Sequence, residues 1–157
     1  MLANAERSTP AQTIAIDRRA HTITLWRRFA ASPAKVFAAW TEPEHVRMWW
    51  DPSGTPLARC EIDLRVGGGF AFVPAGQPQM PFTGIYKEIA APGTLVFDAN
   101  GALGRVTLDE RDDGTMMTVR ITCGSQEHLD MYLKLGIDVG TARTMDNLVA
   151  YLDRVAA

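Results

Sequence analysis

Between Leu57 and Cys123 the chain is cut at short intervals by residues that reverse a backbone. Gly67-Gly68-Gly69, Gly76-Gln77-Pro78, Ala91-Pro92-Gly93, Asn100-Gly101 and Asp113-Gly114 separate runs rich in β-branched and aromatic residues. Such runs suit strands better than helices, and Asx-Gly pairs supply the positive φ angles that tight hairpins demand. The predicted strands are Leu57 to Leu64, Phe70 to Pro74, Met80 to Ile89, Thr94 to Asp98, Arg105 to Glu110 and Thr115 to Cys123. Consecutive antiparallel pairing is the economical arrangement, with Asn100-Gly101 opening a loop.

The flanks read differently. Thr13 to Ala30 predicts one long first strand, with a candidate interruption at Asp17-Arg18-Arg19-Ala20. It stops at Ser32-Pro33, a serine N-cap with proline at the first helical position, where the missing N–H costs nothing. Val36, Phe37 and Trp40 recur at helical spacing. Thr41 and Glu44 have capping-box spacing and predict a second short helix with Val46, Trp49 and Trp50 on its apolar side. From Ser125 to Val155 the apolar and small positions Leu129, Leu133, Ile137, Gly140, Thr144, Leu148 and Leu152 step by three and four, which predicts one long helix. Gly136 and Gly140 weaken it and mark a kink or a close approach to the sheet.

Strand, two short helices, six strands and a long helix make an α+β chain of six to seven antiparallel strands. One domain over residues 13–155 is expected, preceded by a polar tail, Met1 to Gln12. A net charge of −2 gives no bulk attraction to nucleic acid or anionic membrane. No apolar run reaches the ~20 residues that span a bilayer, and the N-terminus lacks the pattern of a signal peptide. A cytoplasmic address is the default, and there Cys60 and Cys123 are expected as buried thiols.

Little points to covalent or metal chemistry. The glycine run Gly67-Gly68-Gly69 enters the strand Phe70-Ala71-Phe72-Val73 rather than a helix, so it reads as a turn and not a phosphate loop. His21, His45 and His128 are scattered, so no metal and no cofactor are expected. No serine sits in a nucleophile elbow. His128, with Glu127 and Asp130, is either an acid–base candidate or part of an exposed helix start.

Strand alternation places Phe70 with Phe72, Phe82 with Gly84 and Tyr86, Leu95 with Phe97, and Met117 with Val119 and Ile121. Leu129, Leu133 and Ile137 face them from the helix, with Tyr132 and Gly136 adjacent. A solid core and a pocket both fit this pattern. Tyr86, Arg27 and Thr118 are candidate polar anchors, Thr118 only on the opposite parity. Of the neighbours Trp49 and Trp50, one fills core and the other reaches a cavity mouth or a partner surface.

Several strings in this order resemble the START-like, helix-grip superfamily, and within it the family named for activators of the heat-shock protein 90 ATPase. They are Arg27-Arg28-Phe29-Ala30-Ala31-Ser32-Pro33 with Val36-Phe37, Trp40-Thr41-Glu42-Pro43-Glu44 and Trp49-Trp50. Further along come Asp63-Leu64-Arg65-Val66-Gly67-Gly68, Gly84-Ile85-Tyr86-Lys87-Glu88-Ile89, Gly114-Thr115, Gly136-Ile137-Asp138-Val139-Gly140 and Met145-Asp146-Asn147-Leu148. The similarity covers about Thr13 to Leu152. Many members carry Gly-Trp where this chain has Gly136-Ile137, so no aromatic role is carried over there. The resemblance implies a curved sheet gripping the long helix around a cavity for a small hydrophobic or amphipathic ligand. Trp49, Phe72, Phe82, Tyr86, Phe97, Met117, Val119, Leu129, Tyr132, Leu133 and Ile137 are then the expected ligand-binding residues. Gly84 and Gly136 are expected to leave the room. The resemblance also implies two alternatives, a polyketide cyclase- or dehydratase-like enzyme and a chaperone ATPase-modulating module, and it leaves room for a homodimer.

Overall fold

The computed structural model describes residues 14–156; the predicted tail, Met1 to Gln12, lies outside them, as does Thr13. The strands are β1 (Ile14–Asp17), β2 (Thr22–Phe29), β3 (Arg59–Ile62), β4 (Gly69–Val73), β5 (Phe82–Ala90), β6 (Thr94–Ala99), β7 (Ala102–Arg111) and β8 (Gly114–Thr122). Helices α1 (Pro33–Thr41) and α2 (Pro43–Trp49) follow β2, and α3 (Gln126–Lys134) and α4 (Ile137–Ala156) follow β8. All neighbours pair antiparallel in the order β1-β2-β8-β7-β6-β5-β4-β3.

The sheet has eight strands, not six or seven. The predicted first strand is a hairpin, because Asp17 Oδ1 accepts from the N–H groups of Arg19 and Ala20 and His21 takes a positive φ. That Asx turn sends the chain back on itself, with Ile14 opposite Leu25. Asn100-Gly101 is tighter than the predicted loop. Both residues have positive φ, Ala99 faces Ala102, and β7 starts at once. The second hairpin turn sits one residue earlier than expected, at Asp112-Asp113, and Gly114 already belongs to β8.

Ser32 and Ser125 cap α1 and α3, each side chain accepting a backbone N–H three residues on. The capping box does not form. Thr41 is the last residue of α1 and its hydroxyl donates to the Phe37 carbonyl at 2.8 Å. Pro43 takes the first position of α2 and Glu42 becomes its N-cap without a side-chain bond, which fits the extended backbone that a following proline favours. The C-terminal helix is also two helices. Gly136 has φ +75°, outside the helical region, and divides α3 from α4.

Alternate strand residues on one face, among them Phe70, Phe72, Tyr86, Leu95, Val106, Met117 and Val119, are buried in a core that includes α1, α2 and the later turns of α4. Ile23, Leu25, Cys123 and Leu129 form a second cluster, against which Leu133 of α3 also packs. Buried Arg27 of β2 ties α4 down. Its guanidinium bonds Asp146 at 3.0 Å and donates to the carbonyls of Trp26 and Ala142.

Gly84 leaves no room of the kind expected. The Phe70 ring lies on it, and an added Cβ would stand 2.6 Å from the Asp98 carbonyl oxygen. Because a backbone atom cannot step aside as a side chain can, Gly84→Ala is expected to destabilise the fold by roughly 1–3 kcal/mol. Urea denaturation measures this, and an unchanged midpoint would show that β5 and β6 can separate at no cost.

Candidate functional site

A cavity of about 650 Å³ lies between the core face of the sheet and the C-terminal helices. Its floor is strand: Phe82 of β5, Phe97 and Ala99 of β6, Ala102 and Gly104 of β7, and Val119 and Ile121 of β8. The Phe97 ring covers Gly104, where a Cβ would stand 2.7 Å from it. The roof is helix. On α4 the wall positions are Ile137, Gly140, Thr141, Thr144 and Met145, which share one helical face. On α3 and the break they are His128, Met131, Tyr132, Leu135 and Gly136. Trp40, Trp50 and Pro52 close the flank beside β5.

Of the expected ligand-binding residues, Phe82, Phe97, Val119, Tyr132 and Ile137 stand on this wall. Six others do not. Phe72, Tyr86 and Met117 have the right parity, but neighbouring side chains cover them: Phe70 lies 4.9 Å from Phe72 and 5.2 Å from Tyr86, and the Trp40 indole N–H points at the Met117 sulfur. Leu129 and Leu133 occupy the neighbouring stripe of α3, which covers the second cluster; His128, Met131 and Leu135 stand on the cavity wall, and Tyr132 lies on both the wall and the cluster. Trp49 is buried and its indole donates to the Ala39 carbonyl at 3.0 Å. Trp50, one residue on, is the wall residue, meeting Phe72 edge-on at 4.9 Å and the tilted Phe82 ring at 5.1 Å. None of the three candidate anchors, Tyr86, Arg27 or Thr118, lines the cavity.

The wall carries no Asp, Glu, Lys or Arg. Its polar side chains are Asn100, His128, Tyr132, Thr141 and Thr144, and Thr144 donates to the Trp50 carbonyl at 3.0 Å. His128 Nδ1 accepts the Gly124 N–H at 3.0 Å, and the imidazole meets the Tyr132 ring edge-on at 4.5 Å. Burial raises the Tyr132 phenol, with a smaller push from Cys123. Among the described residues there is no cluster of three His, Cys, Asp or Glu side chains suited to a metal ion, and no helix is long and apolar enough to cross a membrane.

The model of the family described as activator of Hsp90 ATPase homolog 1-like protein matches residues 30–153. The chain belongs to that family. A protein from Arthrobacter aurescens solved by NMR has a similar fold, with TM-score 0.81 at 23% identity over 92% of each chain. A crystal structure from Rhodobacter sphaeroides gives 0.80 at 22% identity, over 90% of this chain and 97% of that one. One from Nitrosomonas europaea gives 0.78 at 22% identity, over 86% and 96%. No curated protein shows a significant match.

Cys123 is a buried thiol as expected and Cys60 is only half-buried, and together with the buried or half-buried phenols they set an alkaline limit on stability. Burial, only partly opposed by Arg47, moves the Cys60 thiol from 9.0 to about 11. Burial likewise raises Cys123, Tyr86, Tyr132 and Tyr151. In each case the folded state holds the proton longer than the unfolded one, so the contribution is full below the unfolded pKa and is lost as pH rises through the folded pKa. The melting temperature is expected to be flat from about pH 7 to 8.5 and to fall between about pH 9 and 11. A curve flat to pH 11 would contradict these shifts.

Proposed function

We infer that this family member binds a small hydrophobic or amphipathic molecule between sheet and helices. One observation carries the reading: the cavity wall includes Gly140 in the first turn of α4, where an added Cβ would meet nothing within 4 Å. A solid core does not leave a helical face bare, because unfilled space forfeits packing and a glycine within a helix costs up to ~1 kcal/mol against alanine. Pockets that take small molecules are concave, mostly apolar and carry a few placed polar groups, and this wall has that composition.

A cofactor-free cyclase or dehydratase ranks second. It needs a proton donor or acceptor on the wall, and His128 stands there. The chaperone-modulating activity in the family's description would act through the outer surface and would leave the cavity without a use.

Gly140→Leu separates a binding cavity from a packing defect. Leucine enters open space and is the better helix former, so the variant is expected to keep or raise its melting temperature by the equivalent of ~0.5–1 kcal/mol. Uptake of the fluorescent hydrocarbon diphenylhexatriene is expected to fall at least about tenfold, since the side chain removes ligand volume. A folded variant with unchanged uptake, or wild-type protein that takes up no hydrophobic probe, would sink the binding reading.

A further inference from the structure

We propose that Asn100, His128 and Tyr132 form a hydrogen-bonding end of the cavity that selects an uncharged ligand with an exposed oxygen acceptor, such as an ester or ketone; this rests on the binding reading above. These residues come from separate parts of the chain. Asn100 lies in the β6–β7 turn, and His128 and Tyr132 are one helical turn apart on α3. All three stand on the cavity wall, Asn100 at the tip of β6 and β7 and the two α3 residues on the side away from Trp50 and Phe82 of β5. The His128 ring reaches the turn itself, its Cε1 standing 3.7 Å from where a Gly101 Cβ would be.

The hydrogen-bond directions make this end a donor. His128 Nδ1 is occupied as an acceptor by the Gly124 N–H, so in its neutral form the ring carries its proton on Nε2. The phenol of Tyr132 stays protonated, because burial opposes its ionisation. The Asn100 amide adds a donor at the exposed rim. An oxygen with two lone pairs is the natural complement to a wall that offers N–H and O–H groups.

The rest of the wall decides the charge. With no Lys or Arg on it, a carboxylate drawn inside loses hydration and gains no counterion, and with no Asp or Glu an ammonium fares as badly. A neutral acceptor carries a much smaller desolvation cost, and a donor pair offsets it. The occupant is therefore an apolar body, seated against Trp50, Phe82 and Phe97, that ends in an uncharged oxygen function.

Three fluorescent probes test this: methyl parinarate, the parinarate anion with the same polyene body, and diphenylhexatriene, which has no acceptor. Wild-type protein is expected to bind the ester at least about tenfold more tightly than the anion. Tyr132→Phe and His128→Phe are each expected to weaken the ester about three- to tenfold and to leave diphenylhexatriene within about twofold. Tyr132→Phe removes one oxygen and keeps the ring, so it decides the matter where His128→Phe is poorly folded. Tighter binding of the anion overturns the uncharged class. Equal losses for ester and hydrocarbon, or no loss for either, show a plain wall and overturn the donor end while the cavity stands. Wild-type protein that binds none of the three overturns the cavity reading, and this inference falls with it.

Discussion

The left-handed backbone at Gly136 is the constraint on which the cavity depends. A β-carbon disfavours positive φ, by roughly 1–2 kcal/mol where the full left-handed helical conformation is taken up, and glycine avoids that cost. No side chain crowds this site, since a Cβ there would meet nothing within 4 Å, so the glycine serves the turn and not close packing. Had the helix run straight from Ser125, one continuous stripe would have carried Leu129, Leu133 and Ile137 along a single face. With the break, α3 seats Leu129 and Leu133 over β2 and β8 and presents the adjacent stripe to the space that α4 leaves open. The exposed apolar side chains Met131 and Leu135 stand on the cavity wall beside the same break, and exposed Val139 follows it in α4.

A second set of contacts keeps α4 from collapsing onto the floor or swinging away. Arg27 holds its middle from the sheet side through Asp146 and the Ala142 carbonyl. Thr144 and Asn147 hold it from the other side, donating to the carbonyls of Trp50 and Asp51 just past the end of α2. Those carbonyls follow the last helical turn, where the backbone lacks partners of its own. Beyond Met145 the inner face is fully packed, with Leu148 and Leu152 buried in the main core. The helix is thus anchored by its later turns and by polar ties, and its first two turns are left to line space. This division explains how an open cavity coexists with a well-packed domain: the residues that stabilise α4 are mostly not the residues that face the cavity.

Much of the sheet was legible because alternation is a local rule. Every strand residue placed by parity on the core face, from Phe70 to Ile121, is on that face in the structure. What parity could not say is which of those side chains another would cover, since that depends on rings such as Phe70 reaching across strands to Gly84. The eighth strand hid in the single hydrogen-bonding side chain of Asp17, which turns the segment Asp17-Arg18-Arg19-Ala20 from an interruption into a hairpin. The capping box failed because Pro43 competes with the threonine two residues earlier and wins by restricting the backbone before it. Trp49 and Trp50 were inseparable by sequence because a step of one residue rotates about 100° on a helix, and only the Ala39 carbonyl decides which indole goes inward. The helix stripe beginning at Ile137 did carry a signal for the roof: Gly140, Thr141 and Thr144 are too small to fill an interior, and small residues on the inner face of a helix imply space or a close approach.

Magnitudes favour space open to solvent over a sealed void. At about 24 cal/mol per Å³, the cost measured for cavities left in a packed core, an enclosed dry volume near 650 Å³ would cost on the order of 15 kcal/mol. That equals the entire stability of a typical domain, which is about 5–15 kcal/mol. The rim resolves the conflict, because Asn100, Met131 and Leu135 on the wall are themselves exposed and water can reach the interior. Solvent then lies against an apolar wall with few polar groups to bond, and an apolar body that displaces it gains about 25 cal/mol for each Å² it covers. The same geometry that makes the cavity tolerable without an occupant therefore supplies the driving force for one. The polar ties of α4 to Arg27, Trp50 and Asp51 keep that force from being spent on collapse of the helix onto the sheet.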